Sequence, residues 1–250
     1  MLDRKARKET MSEEYPVVFA LYPGVAQLDF TGPLEVLARL PRARILLASV
    51  AGGELAAEPA LRLTGLVRLA DVSRCAVLCV PGGSGSIAAM EDASYLAELR
   101  RLSGGADYVA SVCTGSLLLA AAGLLAGRRA ACHWASRHFL EGFGVIADSA
   151  RVVRDGNVFS GGGVTAGIDL ALTLMAEIAG RPYAEAVQLA IEYAPAPPFD
   201  SGRPERAGPE IVASVEKRLE AVLARRAEAV ERVQSAASSF ARSARPRITE

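Results

Sequence analysis

Short apolar runs alternate along the chain with longer segments in which apolar residues recur at helical spacing. Continuous apolar runs of this length predict strands buried on both faces, and their alternation with helices is typical of a mostly parallel sheet covered on both sides. The pattern therefore predicts a doubly wound α/β domain. Its strands are expected near residues 16–21, 44–50, 75–80, 108–112 and 129–134.

Two segments depart from this simple alternation. Residues 51–72 contain short alternating stretches and glycines, which predict a small excursion of hairpin strands, and Asp155-Gly156-Asn157 predicts the turn of another hairpin. The first helix is expected to begin near Gly32-Pro33, because proline suits the first turn of a helix. Asp29 would then lie in the loop that precedes this helix.

The C-terminal part has a different pattern. Pro195-Ala196-Pro197-Pro198 marks the end of the α/β domain, and residues 209–241 predict one long amphipathic helix. Its apolar stripe is expected to pack on the same chain or on a partner subunit rather than on a membrane, since glutamates dilute the basic face. The stripe consists of Val215, Leu219, Val222, Leu223, Val230, Val233 and Phe240. The expected organisation is a flexible extension 1–14, an α/β domain 15–208, the helix 209–244 and a tail 245–250.

The composition narrows the classes of function. Of the 250 residues 51% are hydrophobic, which predicts a substantial core, and 28 basic residues balance 28 acidic ones. A chain without net charge has no overall attraction for nucleic acid or for anionic membranes, so neither partner is expected. No apolar run is long enough to span a bilayer and residues 1–14 do not resemble a secretion signal, which favours a cytoplasmic protein.

The metal-binding and thiol residues are few. The four cysteines, at positions 75, 79, 113 and 132, lack C-x-x-C spacing, which indicates free thiols in a reducing compartment. Only two histidines are present, His133 and His138, so a histidine-rich metal site is not expected.

Cys113 has the strongest signal for chemistry. The apolar run 108–112 stops at this residue and a helix-like segment follows, with the small residues Ser111 and Gly115 two positions away on either side. This small-x-nucleophile-x-Gly pattern is typical of a nucleophile on a sharp strand-to-helix turn. The positive end of the following helix would favour the thiolate, lowering the thiol pKa from about 8.5 into the range of roughly 3.5 to 7.5. The alternative is a buried core cysteine.

The glycine-rich turns invite a nucleotide-binding interpretation, which the sequence does not favour. The segments 83–88 and 161–166 each match G-x-G-x-x-A, and two matches in one domain make the pattern unspecific. The strand after the first match ends at Cys113 rather than at the acidic residue that a dinucleotide site needs. The better use of Gly82 and Gly83 is to let backbone N–H groups approach an anion at the sheet edge, as in an oxyanion hole.

Cys113 also needs a group that handles protons. Asp29 is the best candidate, since it places one carboxylate among apolar neighbours after the first strand, although it would serve equally well as a helix cap. Thr114 offers a backbone N–H and a hydroxyl, or is only a small residue tolerated in the turn. His133 ends a later strand and could lie near the site. The interpretation that it is a hydrogen-bonded structural histidine beside Trp134 is slightly favoured.

Six segments together resemble the ThiJ/PfpI family over roughly residues 15–209. They are Tyr22-Pro23-Gly24, Leu28-Asp29-Phe30-Thr31-Gly32-Pro33, Pro81-Gly82-Gly83, Ser111-Val112-Cys113-Thr114-Gly115, Cys132-His133-Trp134 and Gly161-Gly162-Gly163-Val164-Thr165-Ala166-Gly167. The resemblance implies a flavodoxin-like sandwich, of the class I glutamine amidotransferase type, and usually a homodimer. It also implies a nucleophilic Cys113 with Asp29 as its acidic partner, and contacts to substrate or oxyanion from Gly82, Gly83, His133 and Gly32.

Within the family, Thr114 is similar to the residue after the cysteine in members that hydrate isonitriles, whereas protease-like members carry histidine there. The resemblance thus implies a lyase in which Cys113 attacks the isonitrile carbon, Asp29 acts as general acid and base, and an N-substituted formamide is released without metal or other cofactor. Two alternatives stay open. One is a deglycase-like or glyoxalase-like enzyme for reactive aldehydes, and the other is a redox or stress sensor that uses Cys113.

Overall fold

The computed structural model describes residues 14–243, with side chains as far as residue 236. The predicted tail 245–250 and, apart from residue 14, the predicted extension 1–14 lie outside the described residues. The strands are β1 Tyr15–Ala20, β2 Val25–Ala26, β3 Ala43–Ser49, β4 Gly53–Glu58, β5 Leu61–Arg68, β6 Val77–Val80, β7 Tyr108–Val112, β8 Arg129–Ala131, β9 Ile146–Asp148, β10 Val152–Asp155 and β11 Val158–Gly161. The helices are α1 Gln27–Leu37, α2 Ser86–Glu91, α3 Ala93–Ser103, α4 Gly115–Ala121, α5 Ala166–Ala179, α6 Arg181–Ala190 and α7 Pro209–Ser243, with 3₁₀ helices at Leu69–Asp71 and Trp134–Phe143.

Nine strands form one sheet in the order β10-β11-β7-β6-β1-β3-β5-β4-β2. The strands from β11 to β5 in this order pair in parallel, and the two predicted hairpins, β4–β5 and β10–β11, supply the antiparallel pairs. Val17 of β1 lies between Ile45 of β3 and Val77 of β6, and the central strands are buried on both faces. The α/β fold and the mostly parallel sheet are as predicted.

The first helix begins earlier than the sequence predicts. α1 starts at Gln27, directly after β2, so Asp29 lies in its first turn and Pro33 lies inside the helix. The expectation that Pro33 marks the first turn was wrong. Proline is tolerated here although it removes one intrahelical hydrogen bond, the one that its N–H would give to the carbonyl of Asp29. A side-chain bond of 2.9 Å from Thr31 Oγ1 to the Gln27 carbonyl lies in the same turn.

The strand predicted at 129–134 is shorter than expected and leaves the main sheet. β8 pairs with β9 in a separate two-stranded sheet, and the 3₁₀ helix at Trp134–Phe143 takes over within three residues. Gly144, with φ +70°, ends that helix in the left-handed conformation. The segment 132–134 therefore turns away at the edge of the sheet instead of continuing through it.

Helices cover the sheet, and the segments that follow its central strands meet at one edge. α1 packs on α5, and the long helix α7 packs on α2 and on the 3₁₀ helix Trp134–Phe143. Val222, Val230 and Val233 of the predicted stripe thus pack on their own chain, one of the two expected possibilities, and the side chain of Phe240 lies outside the described residues. Because β1, β6 and β7 are parallel, the segments that follow them meet at one edge of the sheet.

Among residues 14–243 no helix combines the length and the apolar character needed to cross a membrane.

Candidate active site

Cys113 lies on a strained turn between β7 and α4. Its φ of +58° is in the left-handed region, which a residue with a side chain adopts only when its surroundings hold it there. Its N–H donates to the Gly161 carbonyl at 2.9 Å, which ties the turn to β11. A Cβ at Gly115 would collide with the Val80 carbonyl, so only glycine fits this position at the start of α4. The predicted strand-turn-helix unit is present.

Asp29 is buried beside this turn and is only half satisfied by hydrogen bonds. Its Oδ2 accepts a bond of 2.9 Å from the Gly82 N–H, and its Oδ1 has no hydrogen-bond partner among the described residues. Burial raises the pKa of Asp29 to about 7, although the Gly82 N–H and, more weakly, the Cys113 thiol act in the opposite direction. A carboxyl group with this pKa and one unengaged oxygen is suited to transfer a proton near neutral pH.

The thiol of Cys113 does not show the lowered pKa that its position before a helix predicts. Burial raises its pKa well above the ordinary value, and the nearby Asp29 and Cys132 add to this effect. The Thr114 N–H and the Arg226 guanidinium lower it, but they do not outweigh burial. The expectation of a resting thiolate was therefore wrong. Cys113 and Asp29 form a coupled pair whose resting form is a thiol next to a partly ionised carboxyl group.

The surroundings of Cys113 and Asp29 include Gly82, Gly83 and Thr114. A Cβ at Gly82 would lie 2.6 Å from the Thr114 N and 2.7 Å from Asp29 Oδ2, so the site closes around this glycine. Gly83 has φ +136°, its N–H donates to Thr114 Oγ1 at 3.1 Å, and that hydroxyl donates to the Gly83 carbonyl at 3.3 Å. Both glycine N–H groups thus bond to side chains of the site, and their use as an oxyanion hole stays a prediction.

The glycines at 83–85 also have a packing explanation. The Tyr22-Pro23-Gly24 turn lies directly on this segment, with a bond of 3.0 Å from the Gly85 N–H to the Gly24 carbonyl. A Cβ at Gly85 would overlap the Pro23 carbonyl. Close approach of two backbones accounts for the glycine pattern without a nucleotide.

Tyr22 fixes the end of β6 from the other side. Its hydroxyl donates to the Pro81 carbonyl at 2.8 Å, and its ring meets that of Tyr95 edge to face with centroids 5.5 Å apart. Burial raises its pKa well above the ordinary value, and the nearby Asp29 and Cys113 contribute to the shift. Tyr22 is thus a neighbour of Cys113 and Asp29. The sequence identified it only within the segment Tyr22-Pro23-Gly24 and gave it no function of its own.

Cys132 and His133 are brought to the site by buried serines. Ser116 Oγ donates to the Ala131 carbonyl at 2.5 Å, and the Ala131 N–H donates to Ser160 Oγ at 2.8 Å. These two bonds hold the end of β8 against α4 and against β11 of the main sheet, although β8 is not part of that sheet. Burial raises the pKa of Cys132 to about 12.

His133 caps the 3₁₀ helix that follows it. Its Nδ1 accepts from the Ala135 N–H at 3.4 Å, and its ring lies tilted against Trp134 with centroids 5.8 Å apart. Burial, and then the positive charge of Arg226, lower the pKa of His133. These contacts are those of the structural histidine that the sequence slightly favours, and its contact with substrate stays a prediction.

Gly32 lies on α1, one turn after Asp29, and its Cβ position faces Ile168 of α5. A Cβ there would come within 3.1 Å of Ile168 Cγ1, and one at Gly167 within 2.9 Å of Pro33 Cδ, so the two glycines let α1 and α5 approach closely. The observed function of Gly32 is helix packing, and its expected part in substrate binding stays a prediction.

Arg226 is a second residue near the site that sequence reasoning missed. It lies on α7, only 5% exposed, and its charge acts on Cys113, Cys132 and His133. A signal was present in the sequence, because Arg226 falls between Val222 and Val230 at the helical spacing of the apolar stripe. A charged residue at such a position is exceptional and calls for a partner.

Comparison with known proteins agrees with the fold. The sequence profile of the DJ-1/PfpI family matches residues 16–177. The chain belongs to the DJ-1/PfpI family. This confirms the resemblance inferred from the sequence, since ThiJ/PfpI is another name used for members of this family.

Three relatives show how far the similarity extends. The chain is 48% identical over 214 residues to an isonitrile hydratase of Pseudomonas putida, an alignment that covers 86% of this chain and 94% of the relative. The crystal structure of a ThiJ/PfpI family protein from Pseudomonas syringae superimposes with a TM-score of 0.84 at 34% identity, covering 87% of this chain and 91% of that one. Drosophila melanogaster DJ-1beta shares the fold at a TM-score of 0.65 and 24% identity, covering 73% of this chain and 100% of that one.

The candidate site of this chain combines the buried Cys113 thiol, the Asp29 carboxyl group with a pKa of about 7, and the nearby positive charge of Arg226. Among residues 14–243 no cluster of three or more His, Cys, Asp or Glu side chains is placed to hold a metal ion. The groups that are present suit covalent addition of sulfur to an electrophile with proton transfer.

Proposed function

We propose that this protein is an isonitrile hydratase in which Cys113 is the nucleophile and Asp29 the general acid and base. The observation that carries the proposal is the pairing of a strained, buried cysteine with a carboxyl group whose Oδ1 has no hydrogen-bond partner among the described residues. The high identity to the isonitrile hydratase of Pseudomonas putida supports the choice of substrate.

The first half of the reaction needs both members of the pair. An isonitrile carbon must gain a nucleophile and a proton, because it carries a lone pair and an empty acceptor orbital. Asp29 takes the thiol proton as Sγ of Cys113 forms its bond to the terminal carbon, and the same proton is then delivered to that carbon. The product is a thioimidate, R–N=CH–S, on Cys113, and the Asp29 carboxylate is restored.

The second half returns the enzyme to its starting state. Asp29 accepts a proton from a water molecule as the hydroxyl adds to the thioimidate carbon, and it delivers that proton to the nitrogen. The C–S bond then breaks as the hydroxyl oxygen forms the carbonyl. The hydroxyl proton passes through Asp29 to Sγ of Cys113, so R–NH–CHO is released and the thiol is restored. One water is consumed and no electrons are exchanged, in keeping with a hydro-lyase that uses no cofactor.

The remaining site residues are proposed to support these steps. Gly82 holds one oxygen of Asp29, and Thr114 binds Gly83 through its hydroxyl and the Cys113 sulfur through its N–H. The position next to the substrate is assigned to Gly82, Gly83, His133 and Gly32. Gly32 also allows the close packing of the helix that carries Asp29.

The proposal is tested with the purified protein and a simple alkyl isonitrile. Formation of the formamide is followed by the formyl proton signal in NMR, and the covalent step by a mass gain equal to one isonitrile on the Cys113 peptide after acid quench. Cys113→Ala is expected to lose at least about 10³-fold in kcat/KM. Cys75→Ala, which removes a buried cysteine at the start of the central strand, should retain the activity. Turnover of the isonitrile by a folded Cys113→Ala variant would refute the assignment of the nucleophile.

The same experiment separates the alternatives. A reactive aldehyde in place of the isonitrile tests the deglycase-like function, for which turnover faster than that of the isonitrile would be required. Selective oxidation of Cys113 by mild peroxide, without formation of a formamide from the isonitrile, would favour the sensor.

We further propose a homodimer in the cytoplasm. Three large apolar side chains are exposed between the end of α6 and the first turn of α7: Leu189 at 82%, Phe199 at 78% and Ile211 at 50%. Exposed apolar side chains of this size are typical of surfaces that bind another protein. Light scattering of the purified chain should give twice the chain mass, and Phe199→Asp should shift it to the monomer.

A further inference from the structure

The helix α7 contains a charged residue on its buried face. Val222, Arg226, Ala229, Val230 and Val233 recur at the spacing of one helix face, and Ala229 and Val230 are almost fully buried. Arg226 is 5% exposed, so its guanidinium is enclosed with these apolar residues. The helix does not turn this residue toward solvent.

The position of the helix is fixed around Arg226. One turn and a half further on, Arg232 forms a 2.6 Å ion pair with Glu91 of α2, and Gln234 packs against Gly142 at the end of the 3₁₀ helix, where a Cβ would overlap its amide. These contacts hold α7 on both α2 and the 3₁₀ helix, the two elements next to the site.

The guanidinium is only partly satisfied by hydrogen bonds. Its Nη1 donates to Ser136 Oγ at 2.9 Å, and its Nε is buried without a hydrogen-bond partner among the described residues. Ser136 is itself buried, in the 3₁₀ helix that follows Cys132 and His133. Burying a guanidinium without an anion is costly, so the site must offer negative charge to it.

The titratable groups near Arg226 come from three parts of the chain. Cys113 lies on the β7–α4 turn, Cys132 and His133 follow β8, and Tyr22 follows β1, and each is within electrostatic range of the guanidinium. Asp29 interacts with Cys113. His133 cannot offer a negative charge, Tyr22 is a weak acid, and burial raises the pKa of Cys132 to about 12. Because the pKa of Asp29 is about 7, the Cys113–Asp29 pair is the natural source of the compensating charge.

We propose that Arg226 is the positioning residue that balances one negative charge on the Cys113–Asp29 pair. With Arg226 charged, the pair keeps a single proton and the buried site as a whole is neutral. Without that charge, the pair would bind a second proton at a higher pH, leaving a thiol and a neutral carboxyl group with no base between them. The helix beyond the α/β domain thus contributes to the chemistry of the site, and this inference does not depend on the identity of the substrate.

The test is the pH dependence of Cys113 alkylation by iodoacetamide, followed by mass spectrometry of the Cys113 peptide. Arg226→Met should raise the apparent pKa of this reaction by about one unit or more and slow it about tenfold at pH 7. Arg226→Lys should recover most of the rate because it retains the charge. Arg225→Met, an exposed neighbour on the same helix, is the matched control and should match the wild type.

Two additional variants make the result specific. Ser136→Ala removes only the hydrogen bond to Nη1 and should give a smaller shift in the same direction, which tests the proposal even if Arg226→Met does not fold. In a Cys132→Ala background, Arg226→Met should still shift the Cys113 reaction, since the effect does not pass through Cys132. Folding is checked by circular dichroism and thermal unfolding.

The outcomes are distinct. Superimposable alkylation profiles for folded Arg226→Met and wild type would overturn the proposal, as would an equal shift in Arg226→Lys or loss of the shift in the Cys132→Ala background. Because alkylation needs no isonitrile, the shift can be present even if no isonitrile is hydrated, and its absence would leave the proposed hydratase function standing.

Discussion

The backbone N–H of Gly82 donates a 2.9 Å hydrogen bond to Oδ2 of Asp29, across 53 positions of sequence. The bond joins the ends of two adjacent parallel strands, because Gly82 follows β6 and Asp29 follows β1 and β2. It fixes one carboxyl oxygen and leaves the other, Oδ1, buried without a hydrogen-bond partner among the described residues. The orientation of the proposed acid and base thus depends on a glycine that has no side chain with which to act.

Gly82→Ala is predicted to disable the site. The new methyl group would lie 2.7 Å from Asp29 Oδ2 and 2.6 Å from the Thr114 N, so the carboxyl group and the turn must both move. We expect a loss of about 10²-fold or more in kcat/KM, since displacement of catalytic groups by about 1 Å has effects of that size. Gly105→Ala, where no atom lies within 4 Å of the added methyl group, should leave the activity unchanged. Equal activity of the two variants would contradict the prediction.

The Thr114 hydroxyl is predicted to act by holding Gly83. Thr114→Val keeps the shape of the side chain but leaves the Gly83 N–H without the partner it has at 3.1 Å, which should cost about 1–3 kcal/mol of stability. The released segment adjoins Gly82, so kcat/KM should fall about tenfold as well. Thr114→Ser restores the hydroxyl and should recover both quantities in urea unfolding and in the isonitrile assay. If Val and Ser variants behaved alike, the hydroxyl would have no such function.

Ionisation of Asp29 is predicted to destabilise the folded protein. Its pKa of about 7 exceeds that of an unfolded aspartate, about 3.9, so between these values the folded state binds more protons than the unfolded state. The free energy of unfolding should therefore fall as the pH rises through this window, by a few kcal/mol in all. The contribution of Asp29 is complete below pH about 4 and is lost above pH about 7.

Asp29→Asn provides the measurement. The amide can still accept the Gly82 bond but cannot ionise, so the variant should be more stable than the wild type at pH 8 and should lose kcat/KM by about 10²-fold or more. Urea unfolding at pH 5, 6, 7 and 8 should show a difference between variant and wild type that grows with pH. The lowered pKa of His133 acts in the opposite direction and cancels in this difference, since both proteins contain it. A constant difference across the series would show that Asp29 ionises normally in the fold.

Much of the fold was predictable because burial on both faces leaves a direct trace in the sequence. The central strands are continuous apolar runs. Glycines indicate the β4–β5 hairpin, and Asp155-Gly156-Asn157 indicates the β10–β11 hairpin. Cys113 was identified by its small neighbours, and the structure explains them, since Gly115 lies against the Val80 carbonyl. The sequence predicts these features because each of them depends on residues that are close together along the chain.

The failures have a common physical origin in contacts that are distant along the chain. The start of α1 at Gln27 follows the pairing of β2 with β4, which overrides the preference of Pro33 for a first turn. The raised pKa of Cys113 results from burial that several elements create together. Arg226 lies near the site although it is 113 positions after Cys113 in the sequence. The signal for its burial was its position in an apolar stripe.

The serine bonds beneath the site are predicted to position Cys132 and His133. The backbone of Ala131 is held on both sides, by Ser116 Oγ at its carbonyl and by Ser160 Oγ at its N–H, and β8 has no strand pairing with the main sheet. Ser160→Ala would leave the buried Ala131 N–H unpaired, which should lower stability by about 1–3 kcal/mol. Ser103→Ala, at the end of α3 near the surface, should change stability by no more than about 0.5 kcal/mol.

The same variant distinguishes a positioning effect from simple loss of stability. If Ser160 holds Cys132 and His133 in place, the histidine ring signals of Ser160→Ala should shift in NMR at pH 7 and 15 °C, where the folded state still dominates. The pKa of His133, lowered in the wild type by burial and by Arg226, should move back toward 6.5 as the ring becomes more exposed. An unchanged His133 titration in a destabilised Ser160→Ala variant would mean that β8 keeps its place without the serine, and that Ser160 contributes to stability alone.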